Sequence, residues 1–224
     1  MRKRARLAKA GCCTEVCLDQ ALEQSASRPL TLKIMQAGEV VLRQKARPLS
    51  TEEIHSQLVR ELIDNMRETM RDACGVGLAA PQVDMPLQLA VIEDRPEYQR
   101  NATAEQLAQR ERGPVPFHVI INPTLTLLDG PVLEFFEGCL SVDGYSAIVP
   151  RAQRVRVEYR DENAEHRTIE VSGWYARILQ HEIDHLHGTL YVDRMYARSL
   201  MKMETLRNGW KGKSMAEIRE ALQV

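Results

Sequence analysis

Two histidines and a glutamate form the most informative chemical pattern in the chain, because His181, Glu182 and His185 occur as H-E-x-x-H. On an α-helix, residues four apart lie ~40° apart around the axis and ~6 Å apart along it, so both imidazoles can reach one cation. Glu182 would project ~100° from His181, close to the cation without being in line to bind it. The pattern predicts a metal-dependent hydrolase in which the cation lowers the pKa of water and Glu182 is the general acid/base.

The residues around the motif decide between this interpretation and a chance match. By itself, the motif is equally compatible with a polar helix face in solvent. Trp174, Ile178, Leu179 and Leu186 indicate instead a partly buried helix, in which charged side chains need partners. The helix pattern therefore favours metal binding, and His187, next to the predicted helix end, is assigned to solvent.

A third protein ligand is required, and Cys139 is the candidate upstream of the histidines. A free cysteine is most often a small buried hydrophobic residue, and for Cys139 alone that interpretation is preferred. Beside a histidine pair without a competing ligand, metal binding is preferred instead. A Cys/His/His set leaves one tetrahedral position open, as a catalytic site needs, and its thiolate would make ferrous iron acceptable.

An H-E-x-x-H endopeptidase is the competing enzyme class. Such proteases take their third ligand from downstream of the motif, and one group continues it as H-x-x-G-x-x-H. Here His185 is followed by Leu186-His187-Gly188, which does not continue in that way. The endopeptidase interpretation is therefore the less favoured one.

Capping signals and apolar periodicity locate the elements that position these residues. A capping box from Ser50 to Glu53 begins a helix predicted over about 51–72, and a second helix is predicted over about 173–187, ending at Gly188. Strands are predicted at 30–35, 87–92, 117–122 bounded by Pro123, 154–160 and 189–193. Further strand candidates are LTLLD and PVLEFFEG. A surface insertion is predicted over 94–116, and a last short helix is predicted to begin at 214–217. The core stripe of the first helix is predicted to be Ile54, Leu58, Leu62, Met66 and Met70.

Length, charge and cysteine content exclude several classes of protein. A chain of 224 residues suits one domain, with or without a tail, because a single core rarely outgrows ~250–300 residues. A net charge of -1 argues against a protein that holds DNA or RNA by bulk charge. No apolar run approaches the ~18–20 residues that span a bilayer. Five cysteines are an odd number, which favours a reducing compartment over a disulfide framework.

Residues 1–29 are interpreted as a poorly ordered N-terminal extension. The segment begins with basic residues and has no acid before Glu15, as a mitochondrial transit peptide would. Several acids follow Glu15 closely, so organellar import is kept as the less favoured alternative to the bacterial cytoplasm. Cys12, Cys13 and Cys17 are interpreted as incidental, because no partner ligand lies near them.

Three short motifs occur in order along the chain: G-V-G-L-A-A-P-Q at 75–82, E-G-C-L-S at 137–141 and H-E-I-D-H at 181–185. Together they resemble the peptide deformylase family, over about residues 30–213. The resemblance implies an α+β fold, with the H-E-x-x-H helix surrounded by small, mostly antiparallel sheets in one catalytic domain of residues 30–224 that ends in a helix. It also implies an activity, the metal-dependent removal of the N-formyl group from the N-terminal formyl-methionine of new polypeptides, with release of formate.

The resemblance assigns catalytic roles to residues at matching positions. Glu182 would be the general acid/base, and Gln82 and the Leu140 backbone N–H would stabilise the oxyanion. The metal would usually be Fe2+, with Zn2+, Ni2+ or Co2+ also able to occupy the site. Its ligands would be Cys139, His181 and His185.

The resemblance also assigns contacts with the substrate. Gly77 would offer its backbone to the peptide, and Ser146 stands where many bacterial members have an arginine, which changes one expected peptide contact. A buried ion pair is predicted between Arg151 and Asp184. The methionine pocket would be lined by Val76, Phe135, Trp174 and Ile178, although core packing alone would also explain the two aromatic residues.

The expected partners follow from this assignment. Formyl-methionyl nascent peptides are the predicted substrates of a monomer that binds neither DNA nor a membrane. The basic segment 198–213 suggests weak ribosome association, ranked below a solvated helix face. A non-catalytic descendant that binds nascent chains is a third functional class, and no substitution at a predicted catalytic position supports it.

Overall fold

The structure, a computed structural model, describes residues 29–100, 102–210 and 212–224. Residues 1–28 of the predicted extension, with Cys12, Cys13 and Cys17, lie outside these ranges. The α-helices are α1 (Thr51–Ile54), α2 (Gln57–Asp72), α3 (Ala104–Gln109), α4 (Gly173–Leu186), α5 (Met203–Gly209) and α6 (Met215–Leu222). The strands are β1 (Gly77–Ala79), β2 (Leu89–Asp94), β3 (Val115–Leu127), β4 (Val132–Cys139), β5 (Val142–Ala152), β6 (Arg154–Arg160), β7 (His166–Ser172) and β8 (Met201–Lys202).

The strands form two antiparallel sheets around α4, the helix that carries both histidines. The larger sheet has the order β1-β2-β3-β6-β7, and the smaller has the order β4-β5-β8. Each pair of neighbouring strands in the two sheets is antiparallel. This mixture of helices and antiparallel sheets confirms the predicted α+β class.

The larger sheet is covered by a helix on each face, because the side chains of its central strands point alternately into two apolar cores. In β2, Leu89 and Val91 belong to a core that contains Met66 of α2. Ala90 and Ile92 belong to a separate core, together with apolar residues of α4. Successive side chains of a strand point to opposite faces, so one strand anchors both helices and fixes α4 against the sheet.

The first predicted helix is wrong in one respect, since it is split in two. α1 ends at Ile54 and α2 begins at Gln57, with the Ser56 side chain accepting a hydrogen bond from the N–H of Val59. Val59, Ile63, Met66 and Met70 form the buried apolar face of α2, and Leu58, predicted to lie in the core, is 78% exposed. A stripe of every fourth residue turns away from one face because the helix has about 3.6 residues per turn. A serine that can cap a helix inside a helical pattern was the local signal for the break.

Several strand predictions are also corrected. Residues 30–35 are not a strand, because the N–H groups of Leu30 and Leu32 bond to the Asn65 and Thr69 side chains at 2.7 and 2.9 Å instead of a neighbouring strand. Residues 191–193 of the predicted strand 189–193 form a 3₁₀ turn. β3 continues past Pro123 with a register shift between Ile121 and Thr124, and β5 and β7 had not been predicted as strands.

Other predictions are confirmed. The capping boxes at Ser50 and Ser214 both form, and α4 spans the predicted segment to within one residue at its end. Residues 154–157 of β6 alternate between exposed and buried, and His187 is exposed. Within the described ranges, the helices lack the combination of length and apolar character needed to cross a bilayer.

Replacing Gly188 by alanine is expected to lower the free energy of unfolding by about 2–4 kcal/mol. Gly188 has a φ of +72°, and an added Cβ would lie 2.6 Å from the carbonyl oxygen of Arg43. Urea denaturation measures the change. Gly209→Ala is the matched control, because a Cβ there meets no atom within 4 Å. Equal stability of the two variants would contradict the packing described for Gly188.

Candidate active site

Three predicted metal ligands come together where the end of β4 meets α4. The sulfur of Cys139 and a ring nitrogen from each of His181 and His185 all lie within 4.8 Å of one another. The Cys139 Sγ lies 3.3 Å from Nε2 of His185. Metal–ligand bonds of ~2.3 Å to sulfur and ~2.0–2.1 Å to nitrogen place tetrahedral ligands ~3.5 Å apart. The donor set therefore fits a single divalent cation with little rearrangement.

The Cys139 sulfur is surrounded by hydrogen-bond donors. The side-chain N–H of Gln82 points to Cys139 Sγ at 3.5 Å, and the backbone N–H of Ser141 does so at 3.4 Å. Both N–H groups are therefore placed to hydrogen-bond the ligand sulfur and fix its position. Sequence reasoning had assigned Gln82 to the substrate oxygen and had not expected it to contact the ligand itself.

Glu137 orients the first histidine, a role that sequence reasoning missed. Its carboxylate is 5% exposed and lies 3.0 Å from Nδ1 of His181, which leaves Nε2 of that ring for the metal. Arg151 donates two hydrogen bonds to it at 3.0 Å, and Arg177 donates a third at 2.6 Å. Burial alone would raise the pKa of Glu137, but His181 and Arg151 outweigh it and hold the pKa well below its usual range. A charged residue two positions before Cys139, after apolar residues, was the signal that could have revealed this role.

The predicted ion pair between Arg151 and Asp184 is confirmed and belongs to the same cluster. The Arg151 guanidinium contacts both Glu137 and Asp184. Arg194 also donates to Asp184, at 2.6 and 2.7 Å. Glu137, Arg151 and Asp184 therefore join β4, β5 and α4 through largely buried charges that pair with each other.

The two histidines differ in their electrostatic surroundings. Burial lowers the pKa of His185 well below its usual value, and the neighbouring His181 and Arg151 lower it further, so its ring is held in the neutral form that binds metals. Burial also tends to lower the pKa of His181, but contacts with Cys139 and Glu137 raise it well above the usual value. The Tyr191 ring stacks on the His181 ring at 6.4 Å between centroids, a contact without a sequence signal.

Glu182 lies in the same helix, and one of its carboxylate oxygens is unpaired among the described residues. It is 3% exposed, and its Oε2 has no hydrogen-bond partner among the described residues. Burial raises the pKa of Glu182 to about 7. Gly77 packs directly on this carboxylate, because a Cβ at residue 77 would lie 2.5 Å from Cδ of Glu182. Gly77 is therefore needed as glycine to leave room for Glu182.

Gln82 and Leu140 present their N–H groups near the ligands. The Gln82 side-chain oxygen accepts from the N–H of Ala79 at 2.9 Å, which directs the amide N–H group toward Ser141 and Cys139. The Leu140 N–H donates to none of the described residues, while its carbonyl accepts from Gln36 at 2.9 Å.

The residues predicted to line a methionine pocket come from different parts of the fold, and two of them, Phe135 and Trp174, line one small gap. Val76, Trp174 and Ile178 belong to the apolar cluster between α4 and the larger sheet. Phe135 lies on β4, where the Arg177 guanidinium sits 5.4 Å from its ring centre. Ser146 is buried and donates a hydrogen bond to the carbonyl of residue 137 at 2.7 Å, so it binds the chain itself.

Glu137→Gln is expected to weaken metal binding by about 10–100-fold, because a neutral amide orients the His181 ring poorly and leaves two buried arginines short of a counter-charge. Competition with a chromophoric chelator measures the dissociation constant. Glu134→Gln is the matched control, since Glu134 lies on the same strand but contacts Tyr196 and Arg219. Metal affinity as high as that of the unchanged protein would refute the orienting role of Glu137.

Comparison with known proteins points to one family. A model of the family "Polypeptide deformylase" matches residues 31–200. A chloroplastic peptide deformylase 1A of Solanum lycopersicum is 45% identical over 173 residues, covering 77% of this chain and 62% of that protein. Peptide deformylase 1 of Bifidobacterium longum is 41% identical over 191 residues, with 85% of each chain covered. The chain thus spans less than two thirds of the tomato protein but most of the bacterial one.

A solved structure shows the same fold. The class I type b peptide deformylase of Acinetobacter baumannii, crystallised with Met-Ala-Ser, matches with a TM-score of 0.67 and 32% identity, covering 75% of this chain and 99% of that one. The resemblance seen in the three motifs is therefore confirmed. With its family match, its relatives and its fold in agreement, the chain belongs to the polypeptide deformylase family.

Proposed function

We propose that this protein is a metal-dependent peptide deformylase, which hydrolyses the N-formyl group of an N-terminal formyl-methionine and releases formate. One observation carries the proposal. Cys139, His181 and His185 bring their ligand atoms within 4.8 Å of one another, next to the carboxylate of Glu182. That set offers three ligands to a cation and one free carboxylate, which is the combination that a hydrolase needs.

We propose Fe2+ as the resident metal, with Zn2+, Ni2+ or Co2+ able to take its place. Cys139, His181 and His185 would hold it, and the mixed sulfur and nitrogen donors suit each of these ions. When bound, the metal supplies a Lewis acid that lowers the pKa of water and polarises the formyl carbonyl.

Glu182 is the residue that moves protons in this proposal. It takes a proton from the attacking water and returns it to the amine that leaves as the formyl C–N bond breaks. Its Oε2 has no partner among the described residues, so no other side chain there competes for the proton. Burial raises its pKa to about 7, which suits a group that both accepts and donates a proton near neutral pH.

Gln82 and Leu140 stabilise the negative charge that develops on the formyl oxygen. The Gln82 amide is oriented by Ala79, and the N–H that points to Cys139 Sγ at 3.5 Å is the one that would turn to the formyl oxygen. Preorganised donors of this kind lower the barrier by about 3–4 kcal/mol each. The Gly77 backbone would pair with the peptide, and the methionine side chain would lie among Val76, Phe135, Trp174 and Ile178.

The substrate class is a short formyl-methionyl segment at the start of a nascent chain. The Acinetobacter baumannii relative was crystallised with Met-Ala-Ser, the tripeptide that deformylation of formyl-Met-Ala-Ser would leave. We propose one catalytic domain over residues 30–224, acting as a monomer in the bacterial cytoplasm, with an organelle as the alternative. Ribosome association through 198–213 stays a prediction, ranked below a solvated helix face.

Glu182→Gln is expected to lower kcat for formate release from formyl-Met-Ala-Ser by about 10²–10⁴-fold while the metal content stays unchanged, because the amide cannot transfer the proton. Glu204→Gln, a change at an exposed residue of α5, is the matched control and should keep full activity. Formate release by Glu182→Gln at the normal rate would overturn the assigned role, and no release by the unchanged protein would favour the non-catalytic class.

Removing the metal with a chelator is expected to abolish formate release, since the three ligands alone cannot activate water. Protein purified without air should contain about one iron per chain, and Fe2+ added back under the same conditions should restore activity. Casein digestion measured in parallel tests the endopeptidase alternative. Activity that survives complete metal removal, or digestion of casein without formate release, would contradict the proposal.

A further inference from the structure

The last residues of the predicted surface insertion dock beside the start of α4. Arg112 pairs with the fully buried Asp94 at 2.7 and 2.9 Å. Glu111 accepts a hydrogen bond from the Ser172 hydroxyl at 2.6 Å. Glu111 also has a φ of +47°, an unfavourable conformation for a residue with a side chain, which persists only where the surroundings enforce it. The insertion is therefore fixed at this end by charge and by hydrogen bonding.

These anchors hold the Arg110 side chain over two residues of the predicted methionine pocket. Its guanidinium carbon lies 5.1 Å from the ring centre of Phe135 and 5.1 Å from that of Trp174. The backbone of Arg110 packs on Gly173, where a Cβ would lie 2.8 Å from the Arg110 carbonyl oxygen. Both the backbone and the side chain of Arg110 are thus held in place.

Arg110 differs from the arginines around it in having no counter-charge. Arg112 pairs with Asp94 and Arg177 pairs with Glu137, whereas no carboxylate in the described part of the chain pairs with Arg110. Burial lowers the pKa of Arg110 to about 10, and the neighbouring Arg112 and Arg177 add to the effect. An unpaired cation is costly to bury, and the two aromatic rings are the partners that the described residues offer to Arg110.

Arg110 also separates two spaces of very different size. On one side, the gap that it encloses with Phe135, Trp174 and Arg177 is too small for a water molecule. On the other side lies a cavity of about 920 Å³, lined by Arg110, Arg112, Phe135 and residues of the C-terminal segment from Leu206 to Ile218. Arg110 and Phe135 line both spaces and therefore lie between them.

We propose that Arg110 is a specificity-determining residue, whose guanidinium closes the far end of the pocket for the first side chain of the peptide and limits the length of that side chain. The inference rests on the proposed function, which assigns Phe135 and Trp174 to the pocket. An unbranched side chain as long as methionine ends against the guanidinium. A longer one has to push Arg110 off both aromatic rings and into the cavity.

Binding of two tripeptides to the metal-loaded full-length protein tests this proposal. The peptides are Met-Ala-Ser and its analogue with 2-aminooctanoic acid, which is unbranched and two carbons longer, and titration calorimetry measures both affinities. The unchanged protein is expected to prefer Met-Ala-Ser by about tenfold or more, because the longer chain displaces Arg110. Arg110→Ala should lower this ratio about tenfold, because the opened cavity accepts the two extra methylenes.

The ratio of the two peptide affinities shows whether Arg110 forms a wall of the pocket or only supports the structure. Partial unfolding or loss of an anchor would weaken both peptides equally and leave the ratio unchanged. Arg110→Leu, which is shorter but still packs on both rings, should lower the ratio in the same direction and replaces Arg110→Ala if that variant does not fold. Arg100→Ala, at an exposed position of the same insertion, should leave the ratio unchanged.

Each outcome decides the proposal. An unchanged ratio in both Arg110 variants, equal affinities in the unchanged protein, or binding of neither peptide would overturn it. If the unchanged protein prefers Met-Ala-Ser and the Arg110 variants lose that preference, the inference stands. It then stands even if no formate is released, in which case the proposed activity alone has failed.

Discussion

The buried carboxylate of Glu137 is the interaction on which the rest of the site depends. It is one of four ionised or ionisable groups in contact, together with Arg151, Arg177 and His181. Each of these groups would be costly to bury alone, and each becomes acceptable because the others supply the opposite charge or a hydrogen bond. The cluster ties β4 and β5 to α4, so the position of the helix relative to the smaller sheet is set by charge as well as by packing.

The geometry of the candidate metal ligands follows from this pairing, from the periodicity of α4 and from an irregularity at the end of β4. The strand register shifts between Gly138 and Cys139, and both Glu137 and Cys139 contact histidines of the helix. Residues four apart on a helix share a face, so Arg177, His181 and His185 form one row. Glu137 pairs with Arg177 and His181, the first two residues of that row. Cys139 then lies beside His185, the third.

The N-terminal part of the chain connects the remaining motif to this arrangement. The N–H of Met35 donates to the carbonyl of Gln82 at 2.8 Å, and the N–H of Ala37 donates to the carbonyl of Ser141 at 2.7 Å. One extended segment therefore bridges the glycine-rich motif and the cysteine motif. It explains why residues 30–35 have strand-like composition but do not join a sheet, since their hydrogen bonds go to the site and to α2.

The sequence by itself determined which residues are the candidate metal ligands, because ligand types and local spacing are properties of single elements. H-E-x-x-H offers two candidate ligands and a candidate base on one helix, and Cys139 was the available third candidate. The group that the fold brings within 4.8 Å could therefore be named without coordinates. Only the tertiary structure decided which residues of distant elements contact the site. Glu137 beneath His181 and Arg110 against Trp174 depend on how β4 and the insertion meet α4, and no local period encodes that meeting. The break in the helix before Leu58 could be predicted only in part. A serine could signal a cap, but only packing decided that the helix should restart there.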